Sequence, residues 1–129
     1  MSHIFPVHVY YEDTDLAGIV YHANYLRYIE RARTEMVRDF GLDQTVLKAR
    51  DGVVFAVRRV EADYITPARF DEDLLVYTTP LMATGARFVL QQDVRRAQTV
   101  LFKAKVTIVA MRDTGQPTRL PDVLQRVLS

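Results

Sequence analysis

Cysteine and tryptophan are absent from the 129 residues, and serine occurs only at Ser2 and Ser129. Without cysteine there is no disulfide, no thiol nucleophile and no cysteine-ligated zinc, which fits a reducing compartment. Serine confined to the chain ends, where order is least expected, argues against a serine hydrolase. Histidine stands only at positions 3, 8 and 22, too few and too scattered for a helical HExxH or a three-histidine metal site. The five glycines, at 18, 41, 52, 85 and 115, lie too far apart for a dinucleotide fingerprint or a phosphate-cradling loop. What remains for chemistry is carboxylates, tyrosines, threonines and His22.

Neither sign of charge predominates. Seventeen basic residues balance sixteen acidic ones to a net +1, and no basic run exceeds two residues. Neither a nucleic acid nor an anionic membrane surface is an expected partner. The start, MSHIFPVHVYYED, has no basic segment leading into a long apolar one, and the most apolar stretch, VLFKAKVTIVAM, is broken by Lys103 and Lys105. No signal peptide and no membrane span are expected, and the cytoplasm is the expected location. A chain of this length, 49% apolar, fits one domain, residues 1–129, with a core of its own.

The chain opens with FPVHVYYED, where Val7, Val9 and Tyr11 share one side of a period-2 pattern, so a first strand is expected. From Tyr25 the apolar residues recur as Ile29, Ala32, Met36, Val37 and Phe40, a helical stripe of four to five turns that ends at Gly41, with Asn24 as a possible cap. A short helix over Asp43 to Arg50 comes next. After Gly52 the pattern turns to strands: VVFAVRRVEADY, LLVYTTPLMA, ARFVLQQDVRR and TVLFKAKVTIVAMR, most of them joined as hairpins in an antiparallel meander. PDVLQRVLS closes the chain as a short helix or an irregular segment. The expected class is α+β: a sheet of about five antiparallel strands wrapped around one long helix.

The stretch YEDTDLAGIVYHANY, residues 11–25, concentrates the polar groups. As a calcium loop from Asp13 it fails, because Ala17 holds the fifth position and Asn24 the twelfth, where a bidentate glutamate is needed. No metal site is expected. Asp13 reads as a turn residue bonding local backbone. Asp15 differs: it precedes a small apolar run, Leu16 to Val20, that leads into a helix start with unpaired amides. Such a pair suits hydrolysis of a thioester, whose thiol leaving group has a pKa of about 8.5 and needs little help. A carboxylate acts as base or nucleophile, and helix amides take the oxyanion. His22 sits at the helix start, where a lone histidine reads as structural or catalytic. Tyr11 and Asn24 carry groups able to orient a water or bond a carbonyl, and both equally suit core and cap positions.

The ordered pattern Tyr-x-Asp-Thr-Asp-x-x-Gly-x-Val-Tyr-His-x-x-Tyr, with Glu30-Arg31-Ala32-Arg33 after it, resembles the hotdog-fold acyl-CoA thioesterases of the 4-hydroxybenzoyl-CoA thioesterase superfamily. It is most similar to the branch associated with the bacterial Tol-Pal system. The likeness continues through ADYITPARFDEDL and KAKVTIVAM, from about Phe5 to Val123. It implies a hotdog fold, active sites at a homodimer interface, often a homotetramer, and an acyl-CoA substrate with no further cofactor. It implies a catalytic role for Asp15, an oxyanion amide at His22, and a supporting site at the His22 side chain and Tyr11. The 4-hydroxybenzoyl enzyme has tyrosine where this chain has His22, a departure that bears on aromatic acyl specificity. Its basic cluster for the CoA phosphates is reduced here to Arg87, near Gly85.

The other branch of the superfamily carries its carboxylate on the central helix after a His-Gly-Gly motif, which this chain lacks. Glu30 and Glu35 therefore read as exposed helix residues or subunit contacts. For the CoA phosphates the expected contacts are Arg87 first, then Arg58, Arg59, Lys103 and Lys105. For the acyl end they are Tyr11, Val20 and Phe55, with Gly18 and Asn24 completing the expected substrate-binding set. An acyl carrier protein in place of CoA, or a non-catalytic binding module on the same fold, are the alternatives.

Overall fold

The computed structural model describes residues 2–128. Strand β1 spans His3–His8, and a single 3-10 turn comes after it at Tyr11–Asp13. Helices α1 and α2 span His22–Asp39 and Gln44–Asp51. Strands β2 (Val53–Tyr64), β3 (Asp73–Thr84), β4 (Arg87–Arg96) and β5 (Thr99–Arg112) come next, and α3 (Asp122–Leu128) closes the described chain.

Helix α1 buries Tyr25, Tyr28, Ile29, Ala32, Met36 and Val37 along one stripe, the face expected from the 3.6-residue period. Each such large side chain removed from water contributes about 1.5–3 kcal/mol. The helix starts at His22, three residues before the stripe. Tyr21 is its cap residue, without a side-chain cap bond, and Asn24 stands in the third helical position instead of capping. The Asn24 amide is turned elsewhere: it donates to the carbonyl of Asp13 at 3.0 Å. Asp43 caps α2, its carboxylate accepting from the Thr45 and Val46 amides.

All pairings in the five-stranded sheet are antiparallel, in the order β1-β3-β4-β5-β2. Two of the expected hairpins form, β3 to β4 through Gly85 at φ +58° and β4 to β5 through Ala97 at φ +53°. The first segment after Gly52 departs from the meander. Strand β2 pairs with β5, so the chain passes across β5 and β4 between β2 and β3. The first strand is also shorter than its apolar alternation: Val7 and Val9 are buried, but the chain turns after His8 and leaves Tyr11 81% exposed on the 3-10 turn.

The sheet wraps α1, which packs on β1, β3 and β4. Between helix and sheet lies one buried polar cluster. Gln92 on β4, fully buried, donates to the Ile29 carbonyl and the Thr78 hydroxyl, both at 2.9 Å, and accepts from Arg33 at 3.0 Å. Burial lowers the Arg33 pKa, but a guanidinium remains charged at any working pH. No helix among the described residues is long and apolar enough to cross a membrane.

Candidate active site

Asp15 opens a tight hairpin. Its amide donates to the Ile19 carbonyl at 2.9 Å, its carbonyl accepts from Gly18 at 3.0 Å, and Thr14 bridges Val20 beyond. The three loop residues Leu16, Ala17 and Gly18 place Gly18 at φ +79°, where a Cβ would be strained although nothing lies within 4 Å of it. The Asp15 Oδ1 accepts from the Ala17 amide at 2.9 Å, and among the described residues Oδ2 has no hydrogen-bond partner. One carboxylate oxygen fixes the side chain; the other is left for a reactant.

After the hairpin, Val20 donates to the Ala68 carbonyl at 2.8 Å and Ile19 bridges Arg69. The chain then enters α1, where the amides of His22 and Ala23 fall in the first turn and have no intrahelical carbonyl to meet. Asp15, Ile19, Val20 and His22 form one wall of a cleft of about 330 Å³, with Tyr25 at its base. Tyr64, Ile65, Thr66, Pro67 and Leu101 form the other wall. The cleft sets a carboxylate and the His22 start of α1 around a largely apolar space, as charge development on a carbonyl oxygen requires.

Tyrosines hold the walls together. The Tyr64 hydroxyl donates to the His22 carbonyl at 2.9 Å, and the Tyr25 hydroxyl accepts from the Ala68 amide at 2.9 Å. Tyr25 stacks on Phe102 at 5.0 Å, and Tyr64 meets both edge-on. Desolvation raises the pKa of Tyr64, and mainly that of Tyr25, so both are neutral phenols at physiological pH.

Of the residues expected from sequence, Asp15, Val20 and His22 share this cleft, and Gly18 shapes the turn beside it. Tyr11 lies outside the lining, its ring edge-on to Phe70 at 6.2 Å. Asn24 is buried behind the cleft on Asp13. Phe55 packs edge-on against Phe88 in a separate cavity of about 200 Å³ between α1 and β2. Arg58 and Arg87 meet in another cleft, of about 430 Å³, with Val109, Met111 and Pro117. Arg59 pairs with Glu61 at 2.6 Å, while Lys103 and Lys105 stand opposite Asp63 and Glu61 in register. Glu30 is exposed, and Glu35 pairs with Arg38 at 2.7 Å.

The second wall is not legible in the sequence. Tyr64 to Pro67 carries only a strand-end signal, the break at Pro67, and nothing local joins it to residues 15–22. Long-range pairing of β2 with β5 brings it there, which a single sequence does not encode in any one place.

A family model, described as the thioesterase-like superfamily, matches residues 9–128. The acyl-CoA thioesterase YbgC of Haemophilus influenzae is 40% identical over 112 residues, covering 87% of this chain and 82% of that protein. The acyl-CoA thioester hydrolase YbgC of Escherichia coli O6:H1 is 43% identical over 107 residues, 82% of this chain and 79% of its own. A crystal structure described as a probable thioesterase from Bartonella henselae superposes with a TM-score of 0.89 at 38% identity, covering 94% of this chain and all of that one. The expected hotdog architecture is the one found.

Proposed function

The chain belongs to the thioesterase-like superfamily, and from that premise we propose that it hydrolyses short-chain or otherwise small acyl-CoA thioesters to the free acid and CoA, with Asp15 as the catalytic carboxylate. That it is an acyl-CoA thioester hydrolase accords with the named activity of its relatives. The observation that supports the finer reading is the shared cleft: a carboxylate with one free oxygen faces the same space as the first turn of α1.

In this reading the thioester carbonyl lies against the His22 amide at the start of α1, which receives the negative charge as it builds on oxygen. Asp15 either takes a proton from the attacking water or attacks the carbonyl carbon itself. On the base route the carbon–sulfur bond then breaks, the water oxygen stays on the acyl carbon, and the proton held by Asp15 passes to the leaving CoA thiolate. On the direct route thiolate departs from an acyl–Asp15 anhydride, which water cleaves to the free acid, restoring the carboxylate and supplying the thiolate's proton. His22 is the supporting side chain of the proposal, Tyr11 being exposed and outside the cleft of its own chain, and Arg87 with Arg58 form its site for the CoA phosphates. Lys103, Lys105 and Arg59 are weaker phosphate contacts, since acidic residues already face them.

A second copy of the chain completes the site. Leu16 stands fully exposed at the hairpin tip, and Tyr21, Tyr64 and Ile65 at the cleft rim are each about half exposed. Strand β2 offers a free edge beside them. An apolar rim and an unpaired edge on one side of the molecule suit a homodimer, from which a tetramer can form. A cytoplasmic location belongs to the same reading, since CoA thioesters and a cysteine-free chain share that setting.

The test is a panel of short, branched, aromatic and long acyl-CoAs assayed with wild type and Asp15→Asn. The expected result is turnover of the small acyl groups and a fall in kcat of about 10²–10⁴-fold in Asp15→Asn. Unchanged turnover by Asp15→Asn would falsify the assignment. Oxygen-18 water in a single turnover then tests the direct role: label entering Asp15 requires an anhydride cleaved at the aspartyl carbon, whereas a base leaves label in the product alone.

A further inference from the structure

Asp13 is 9% exposed, and every polar group it carries beyond the backbone amide is engaged across the start of the site. Its Oδ2 accepts from the Tyr10 amide at 2.9 Å. Its carbonyl accepts from both the Tyr21 amide, at 2.9 Å, and the Asn24 side-chain amide, at 3.0 Å, and its Oδ1 lies 3.4 Å from that same nitrogen. Asn24 in turn receives Arg27 at 3.4 Å and donates its backbone amide to Tyr21 at 2.8 Å. The segment between Asp13 and Asn24 carries both Asp15 and His22.

The Tyr28 hydroxyl, fully buried one helical turn beyond Asn24, lies near the same carboxylate without meeting hydrogen-bond geometry. Burial first, and the Asp13 charge next, push its phenol well above the usual tyrosine range. A neutral phenol and a buried carboxylate thus face each other behind the cleft. The bond to the Tyr10 amide closes the 3-10 turn itself, but the turn has no need of the further bonds to the helix cap residue, Tyr21, and to the third helical residue, Asn24.

We propose that Asp13 is a positioning residue: with Asn24 it clamps the Asp15 hairpin to the first turn of α1 and so sets the carboxylate against the His22 amide. This rests on the reading of Asp15 as the catalytic group. Neither Asp13 nor Asn24 lines the cleft, so both act through Asp15 and the helix start, not on substrate. Misplacement by an ångström is enough to lower turnover by orders of magnitude without weakening binding.

The experiment assays Asp13→Asn and Asn24→Ala beside Asp15→Asn, each well below its own melting midpoint, on the acyl-CoA that wild type turns over best. Both clamp variants are expected to lose about 10- to 100-fold in kcat while KM stays within about twofold. A clamp that serves folding alone lowers the midpoint and leaves kcat per folded molecule at the wild-type value; that result overturns the proposal. If Asp15→Asn keeps full turnover, the catalytic assignment falls and the proposal with it. If Asp15→Asn is inactive while the clamp variants match wild type, the clamp alone falls. Hydrogen exchange on the wild-type protein needs no variant to fold: slow exchange at the Tyr10 and Tyr21 amides is expected, and fast exchange at both overturns the clamp.

Discussion

At the scale of single residues, three acids within four positions have three fates. Glu12 is exposed on the 3-10 turn, Asp13 is buried in a set of hydrogen bonds, and Asp15 keeps one oxygen free over a cleft. The sequence separates Asp15 from the others by its place just before a small apolar run and a helix start. It does not distinguish Asp13 from an ordinary turn residue, because the groups that bury it come from Tyr10 and from two positions in and before α1. Tyr25 is a second residue whose role the stripe conceals: it reads as core, yet its hydroxyl accepts the amide of Ala68, which is fully buried. Tyr25→Phe leaves that amide without a partner at almost unchanged volume. A loss of about 1–3 kcal/mol is expected in urea unfolding, and a variant as stable as wild type would show that the bond contributes nothing net.

At the scale of elements, α1 and the two hairpins are legible because their signals are local: a 3.6-residue stripe for the helix, Gly85 and an Arg-Ala-Gln break for the turns. The place of β2 is not, since its partner β5 lies far downstream, beyond β3 and β4, and both strands carry similar apolar alternation. The junction of β1 with β3 has a pH-dependent tie that no pattern announces. His8 meets Asp73 at 2.7 Å through Nδ1 and Asp71 at 3.0 Å through Nε2, with the Tyr10 ring edge-on at 4.9 Å. The bond to Asp73 is the main cause of a raised His8 pKa; burial opposes it, and the bond to Asp71 adds to it. A raised folded pKa means that the imidazolium stabilises the fold fully below the unfolded value of 6.5 and loses that contribution as pH climbs through the higher folded value. The carboxylates must also stay ionised, so the effect is complete between about pH 5 and 6.5. The melting midpoint of wild type should exceed that of His8→Gln most in that window, and the gap should narrow above it. A gap independent of pH would mean that packing, not charge, holds the strand.

At the scale of the whole molecule, one flank is unfinished as a single chain. Strand β2 is buried at its start and exposed from Val57 onward, and Val57 and Val60 line a groove of about 600 Å³ with Leu26, Arg27 and Ile29 of α1. On the proposed dimer this flank faces the second copy. Val60→Asp should then elute as a smaller species in size-exclusion chromatography with light scattering, and lose activity with it. Co-elution with wild type at full activity would sink assembly through this flank. The opposite need, a single setting of helix against sheet, is met inside. The apolar stripe of α1 is tolerant, since one aliphatic surface slides over another at little cost in area. The Gln92 amide is not: its donors suit the Ile29 carbonyl and the Thr78 hydroxyl, and its acceptor suits Arg33. Each bond contributes only about 1 kcal/mol net, but rotating or advancing the helix by one residue would break the two that α1 makes, at Ile29 and Arg33, while Thr78, paired beside Gln92 in the sheet, would stay in place. Gln92 therefore acts as a vernier on the helix, trading little in overall stability for a fixed phase, and the distance from α1 to everything its first turn serves inherits that phase.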